Sequence, residues 1–131
     1  LGVMSSIIFD WQSRLIVEGN LTFELLGQLA CPWNHLESTL GKRLVSLSAT
    51  LASPDQRFSE WANALGVQTG ELKLSSQRDD AIAECDALVA LMFELDLQQV
   101  SHVFETFHRG WDYKPRLEKV LEYYDQWKDK A

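Results

Sequence analysis

The chain has 131 residues, of which 46% are hydrophobic and 11% aromatic, so it can bury one hydrophobic core. Its formal net charge of -7 argues against a surface that grips nucleic acid throughout, because phosphates are held mainly by lysine and arginine. No apolar run reaches the roughly 18 residues that span a bilayer, and the N-terminus lacks the pattern of a secretion signal. These features predict an acidic cytoplasmic protein without a membrane partner.

The two cysteines, Cys31 and Cys85, lie far apart in unrelated sequence contexts. They do not form the dense cysteine pattern of a small secreted protein. The sequence therefore favours two buried free thiols in a reducing cytosol over one disulfide bridge.

Residues 1–32 predict one helix followed by one short strand. Apolar residues recur every three or four positions as far as Leu15, which is typical of a helix with one buried face. Apolar and polar residues then alternate over 21–25, which predicts a strand. A lone strand leaves its backbone groups unpaired, and the chain begins at Leu1 inside the helical pattern. We therefore expect this part to be a piece of a larger domain.

Beyond Pro32 the sequence predicts only helices. Apolar stripes mark helices near residues 36–51, 54–65, 76–92, 96–107 and 115–127. The predicted linker is 66–76, between the second and third of these helices. The helix over 76–92 should bury one face, made of Ile82, Cys85, Leu88, Val89 and Met92. The predicted fold is mainly α, a bundle of about five to six helices with one short N-terminal strand that lacks its partners.

Several residues predict where these helices begin and end. The predicted start signals are Ser53 followed by Pro54, Ser76 with Asp79, and Asp96 with Gln99. Pro115 stands early in the last helix, Gly66 and Gly110 end the helices before them, and Gly41 is expected to be a tolerated weakness inside its helix.

Gly110 separates a helix carrying Phe104 and Phe107 from Trp111. A glycine at that point can adopt the left-handed conformation and turn the chain sharply. We expect the turn to fold Trp111 over the two phenylalanines, so that the last two helices pack as an antiparallel hairpin.

Two short segments, Pro54-Asp55 and Glu71-Leu72-Lys73, spell a metal-dependent nuclease motif. In that chemistry two acids hold a divalent cation and the lysine stabilises charge at the attacked phosphate. The acids must lie on adjacent strands, whereas this sequence places Asp55 at a helix start and Glu71 in a loop. The sequence therefore favours helix capping and a solvated loop over a nuclease site.

His102, Glu105 and His108 are candidate metal ligands on one predicted helix. Two zinc-binding histidines on a helix are normally four residues apart, which keeps both on one face. The spacing of six between His102 and His108 turns the second about 240° away from the first. Glu105 and His108 could still share a face, but two ligands make a poor zinc site. We favour surface or capping histidines, and we predict no metal and no catalytic residue in this chain.

The N-terminal residues carry a pattern made of Leu1-Gly2-Val3-Met4-Ser5-Ser6-Ile7-Ile8-Phe9-Asp10-Trp11, then Arg14, Val17, Glu18, Asn20, Leu21 and Phe23, and finally Leu29-Ala30-Cys31-Pro32. This pattern resembles a recurring segment of large adenine-specific DNA methyltransferases, the type IIG restriction-modification enzymes and their relatives in phage defence. In that family the segment belongs to the target-recognition part, C-terminal to the catalytic domain.

A later part of the chain is similar to the C-terminal region of the same family. It consists of Asp86-Ala87-Leu88-Val89-Ala90, Phe93-Glu94-Leu95 and the segment 104–113, with Arg43-Leu44-Val45-Ser46-Leu47-Ser48-Ala49 lying between the two resembling stretches. The chain departs from the family pattern at four positions. Phe93-Glu94 stands where Tyr-Gly is usual, Cys85 replaces isoleucine and Ser5 replaces asparagine.

The resemblance implies that residues 1–32 end a target-recognition domain and that 33–131 form a C-terminal helical domain. It implies a parent enzyme that methylates adenine in DNA with S-adenosylmethionine. The family's N-P-P-Y or D-P-P-Y motif and its cofactor loop are absent from the sequence, so the chain should be a non-catalytic segment without a cofactor of its own. Its partners would be the rest of the parent polypeptide and, through it, DNA. The candidates to contact the DNA backbone are Arg14, Lys42 and Arg43.

Two alternatives stay open. The chain could be a free-standing helical module whose apolar stripes dock a partner protein, which co-purification with a partner subunit would indicate. The metal-dependent nuclease is the other alternative, and it requires Asp55 and Glu71 to meet.

Overall fold

The computed structural model describes residues 1–107 and 110–130, and within them the chain forms seven α-helices. They are α1 (Ile7–Ile16), α2 (Phe23–Gln28), α3 (Thr39–Ala52), α4 (Ser59–Ala64), α5 (Ser75–Met92), α6 (Leu97–Phe107) and α7 (Lys114–Trp127). Three short 3₁₀ helices lie at Trp33–His35, Gln56–Phe58 and Lys128–Lys130. The predicted mainly α bundle is confirmed. In the same ranges no helix is long and apolar enough to cross a membrane.

Helix α5 is the centre of the bundle. Every residue from Ala83 to Met92 is buried, so other parts of the chain cover this helix on all sides. The sequence predicted one buried face, whereas the structure buries every face of this stretch. Alanines at 83, 87 and 90 lie on the face expected to be exposed, and their small side chains let neighbouring helices approach it. Helix α7 packs against α5 most extensively and α3 next, while α1 packs against both α5 and α6.

The predicted strand over 21–25 is wrong, because this segment enters helix α2. The Thr22 hydroxyl accepts the backbone N–H of Leu25 at 3.2 Å and so caps the helix. Leu25 and Leu26 turn partly inward while Phe23 stays 94% exposed. An alternation of five residues does not distinguish a strand from a short capped helix.

Three helix starts differ from their predicted positions. Helix α1 begins at Ile7, because the Ser6 hydroxyl caps it by accepting the N–H of Phe9 at 3.2 Å. Asp55 replaces Ser53 as the cap before α4, since its carboxylate accepts the N–H of Arg57 at 3.0 Å.

The predicted cap by Ser76 is also wrong. Helix α5 begins one residue earlier, at Ser75, because the Gln77 side chain accepts the N–H groups of Lys73 and Leu74 at 3.1 and 3.0 Å.

Other predicted helix ends are confirmed. Asp96 and Gln99 cap α6 reciprocally, each side chain accepting the other's backbone N–H at 2.8 Å. Pro115 lies in the first turn of α7. Gly66 follows α4 with a φ of +70°, and the chain is irregular from there to the start of α5.

The turn at Gly110 is confirmed, with a φ of +77°. Tyr113 takes the place over Phe104 that the sequence predicted for Trp111, with the two ring centroids 6.5 Å apart. Trp111 packs edge-on against Tyr113 and stays 37% exposed. The last two helices touch, but α7 packs mainly against α5, so the predicted hairpin is a minor contact.

Residues of 1–32 and of 33–131 share one hydrophobic core. Val3, Ile7, Ile8, Phe9 and Leu29 belong to the same buried cluster as the core residues of α3, α5, α6 and α7. The domain boundary at residue 32 stays a prediction. Among the described residues, those before and after this position do not form separate cores.

Gly41 is required by its surroundings, in contrast to the tolerated weakness that the sequence predicts. A Cβ atom at this position would lie 2.3 Å from the carbonyl oxygens of both His35 and Leu36. These are backbone atoms, so they move only if the 3₁₀ helix before α3 moves.

We expect Gly41→Ala to destabilise the protein by about 1–3 kcal/mol, because the clash outweighs the gain in helix propensity. Gly27→Ala is the matched control, since a Cβ there meets nothing within 4 Å, and it should stabilise by roughly 0.5–1 kcal/mol. Urea unfolding of both variants measures the difference. A stabilised Gly41→Ala variant would show that the 3₁₀ helix shifts to accommodate the Cβ atom at little cost in stability.

Candidate functional site

Asp86 lies where three helices meet, and its side chain is fully buried. One carboxylate oxygen accepts the backbone N–H of Ile7 at 2.9 Å, in the first turn of α1. The other accepts Nε–H of Arg116 in α7 at 2.7 Å and lies 2.6 Å from its Nη2. A carboxylate also interacts favourably with the N-terminal end of a helix dipole. One side chain from α5 thereby holds both α1 and α7.

Burial raises the pKa of Asp86, although Arg116 and the N–H of Ile7 act to lower it. A charged pair removed from water gains little net stability over apolar residues of the same volume. Breaking such a pair is costly all the same, because the remaining charge keeps its desolvation penalty and loses its partner. Losing Asp86 should therefore cost more stability than the pair adds over apolar packing of the same volume.

A second buried acid of α5, Glu84, joins α3 and α7. Its carboxylate accepts Nε–H and Nη2–H of Arg43, both at 2.8 Å, and the indole N–H of Trp127 at 3.0 Å. The hydrogen bond to Glu84 raises the pKa of Arg43. One turn earlier, Asp80 pairs with Lys119 of α7. Helix α5 is thus tied to its neighbours through three acids.

The residues expected to contact DNA lie on two helices, Arg14 on α1 and Lys42 with Arg43 on α3. The Arg43 guanidinium is held in the two-bond pair with Glu84. Arg14 lies 4.2 Å from the ring centroid of Phe107 and is largely exposed, as is Lys42. Contact of these residues with DNA stays a prediction.

Asp55 has a local ionic partner, and the loop that leads to Glu71 lies beside this segment, with the N–H of Gly70 donating to the carbonyl of Ser53 at 2.9 Å. The Asp55 carboxylate binds the Arg57 guanidinium at 2.9 and 2.7 Å, and this hydrogen bonding lowers the pKa of Asp55 to about 2. Glu71 and Lys73 are exposed in the loop before α5. Asp55 therefore acts as a helix cap with a local ionic partner.

His102 packs edge-on against Trp11, with ring centroids 6.4 Å apart. Glu105 is exposed on the same helix, and His108 lies outside the described residues together with Arg109. Among residues 1–107 and 110–130, no group of three or more His, Cys, Asp or Glu is placed to hold a metal ion.

Both cysteines are free thiols, Cys85 buried and Cys31 half-buried. Burial raises the pKa of Cys85 to about 12, so its thiol stays protonated near neutral pH. Burial also raises the pKa of Cys31. Because the thiolate is the nucleophilic form, neither cysteine has the environment of a reactive thiol.

A cleft of about 750 Å³ lies between α1 and α6, a size typical of binding sites. Its lining combines an apolar part (Ile8, Trp11, Ala30, Phe93, Leu95, Val103) with a polar part (Gln12, Asp96, Gln98, Gln99, His102, Glu105). The sequence analysis missed this cleft, because its residues come from three separate segments of the chain.

Hydrogen bonds fix the walls of this α1–α6 cleft. The Gln12 amide accepts the N–H of Ala30 at 2.6 Å and donates to its carbonyl at 3.2 Å. The Trp11 indole N–H donates to the Thr106 hydroxyl at 2.9 Å. These bonds tie α1 to residue 30 on one side and to α6 on the other.

No protein-family model, curated protein or solved structure matches this chain. The functional argument therefore starts from the two features that the structure assembles. These are the buried junction at Asp86 and the α1–α6 cleft.

We expect Asp86→Ala to destabilise the protein by about 3 kcal/mol, because Arg116 and the N–H of Ile7 would lose their buried acceptor. Asp10→Ala is the control, since the Asp10 carboxylate makes only exposed local contacts, with Arg14 at 3.4 Å and with the Ser13 hydroxyl at 3.5 Å, and it should cost about 0.5 kcal/mol or less. Thermal and urea unfolding measure both variants. Equal losses would mean that the junction does not hold the helices.

Proposed function

We propose that the chain is the non-catalytic C-terminal helical segment of a cytoplasmic, adenine-specific DNA methyltransferase of the type IIG restriction-modification kind. In this role the bundle braces the target-recognition part of the enzyme and supplies no reacting group. S-adenosylmethionine would bind elsewhere in the parent enzyme.

The backbone at Glu94 is the observation that carries this proposal. Glu94 has a φ of +56°, the left-handed conformation that glycine adopts most easily. Its N–H donates to the carbonyl of Leu91 at 2.9 Å, and the N–H of Leu95 donates to that of Ala90 at 3.0 Å. These two bonds form the Schellman cap at the end of α5, where glycine is the usual residue. The family that the chain resembles usually has glycine at this position, and glycine is the residue that this backbone conformation favours.

The two resembling stretches also contact each other. Asp86, which opens the later stretch, binds Ile7 of the N-terminal stretch, and Trp11 binds Thr106. These pairs are 79 and 95 residues apart in the chain. Because each stretch packs against the other, a protein that contains one is expected to contain both. This supports the resemblance of both stretches to one family.

Methyl transfer by the full-length gene product tests the proposal. We expect the purified product to transfer a labelled methyl group from S-adenosylmethionine to adenine in DNA. Residues 1–131 alone should give no micromolar cofactor binding in a calorimetric titration, because the cofactor loop is absent from this sequence. A full-length product without methyl transfer, or cofactor binding by residues 1–131, would contradict the proposal.

Replacing Glu94 tests the backbone argument directly. Glu94→Gly should stabilise the protein by about 1 kcal/mol, because it removes left-handed strain from a residue with a Cβ. The Glu94 carboxylate is 81% exposed and lies 3.8 Å from His35, a contact of little worth. Glu118→Gly is the control, since Glu118 is exposed inside α7, and it should destabilise by about 1 kcal/mol. Losses of stability in both variants would rule out a glycine-favouring cap.

A free-standing interaction module is the second candidate, and exposed apolar side chains favour it. Val45, Trp61 and Leu65 are exposed around a small cavity of about 160 Å³ near α3 and α4. A stable partner subunit that co-purifies with a gene product lacking the methylation motif would favour this function over the first.

A further inference from the structure

We propose that the α1–α6 cleft docks a short amphipathic helix of a partner protein, one that presents apolar anchors between lysine or arginine side chains. This inference rests on the lining of the cleft alone. It therefore holds or fails independently of the methyltransferase proposal.

The apolar part of the cleft provides sites for anchor side chains. Ile8 and Val103 are buried and form its base. Trp11, Phe93 and Leu95 are partly exposed and line it above them. Covering these side chains removes apolar surface from water, which favours an apolar partner group.

The charges of the cleft select a basic partner. Among the described lining residues, Asp96 and Glu105 carry carboxylates, none is lysine or arginine, and His102 can become cationic. The whole chain carries a formal charge of -7, so the wider field has the same sign. Complementary potentials speed association and disfavour wrong partners. A nucleic acid or an acidic peptide would meet repulsion here, whereas lysine and arginine would be attracted.

The length of the cleft along α6 matches that of a short helix. On α6 its lining runs from Gln98 to Glu105, about 10 Å at 1.5 Å per residue. Anchors at positions i, i+4 and i+7 of a bound helix cover the same length, as in known helix-in-groove recognition. The hydrogen bonds of Gln12 and Trp11 hold the walls, so binding requires little ordering of this protein.

An NMR titration with two synthetic peptides tests the proposal. Each peptide has about 15 residues with leucine at the three anchor positions, and the remaining positions are rich in lysine in one and glutamate in the other. We expect micromolar binding of the lysine peptide, with shifts of the Trp11 indole N–H and of residues 95–105. The glutamate peptide should bind at least about tenfold more weakly, a difference of about 1.4 kcal/mol.

Charge-reversal variants locate the interaction. Glu105→Lys should weaken binding of the lysine peptide about fivefold or more, and Glu122→Lys, on the exposed face of α7, should leave it within about twofold. Gln98→Lys serves as a second cleft variant should Glu105→Lys fail to fold, as judged by circular dichroism.

Several results would overturn the docking site. They are equal binding of both peptides, shifts outside the cleft, no shifts at millimolar lysine peptide, and unchanged affinity in the folded cleft variants. Methyl transfer by the full-length product is measured separately, so failure of this inference and failure of the methyltransferase proposal are distinguishable.

Discussion

The buried carboxylate of Asp86 is the constraint on which the arrangement of the helices depends. Helix α5 is covered on every side from Ala83 to Met92, where alanines alternate with large apolar side chains such as Leu88 and Met92. Apolar contacts of this kind are not directional. The directional bonds come from Asp86 to α1 and α7 and from Glu84 to α3 and α7. We infer that these two acids set which residues of the four helices face one another.

This use of charge inside the bundle determines the character of its surface. The chain has 12 lysines and arginines against 19 acids. Arg43, Arg116 and Lys119 are paired with acids of α5, and Arg57 is paired with Asp55. These four of the twelve positive side chains are paired with acids, and the net charge of -7 disfavours a broad basic surface for DNA. The proposed bracing role does not require such a surface, and local phosphate contacts of Arg14 and Lys42 stay a prediction.

The sequence predicted best those features that depend on neighbouring residues. The reciprocal cap of Asp96 and Gln99 and the turn at Gly110 follow from residues only a few positions apart. Features that depend on distant residues were missed. The need for glycine at position 41 comes from carbonyl groups of the preceding 3₁₀ helix, and the α1–α6 cleft combines segments far apart in the chain. No local pattern reports such contacts, because they exist only after the helices pack.

Glu94 connects the end of α5 with the cleft. Its neighbours Phe93 and Leu95 both line the cleft, and its own side chain is 81% exposed. A non-glycine residue in the left-handed conformation costs about 1–2 kcal/mol relative to glycine. Its carboxylate lies 3.8 Å from His35, and neither residue lines the cleft. A strained residue persists only where the surrounding structure holds it, and here the bonds from Glu94 to Leu91 and from Leu95 to Ala90 do so. The left-handed turn is therefore part of the cap that ends α5, and it lies between two residues of the cleft lining.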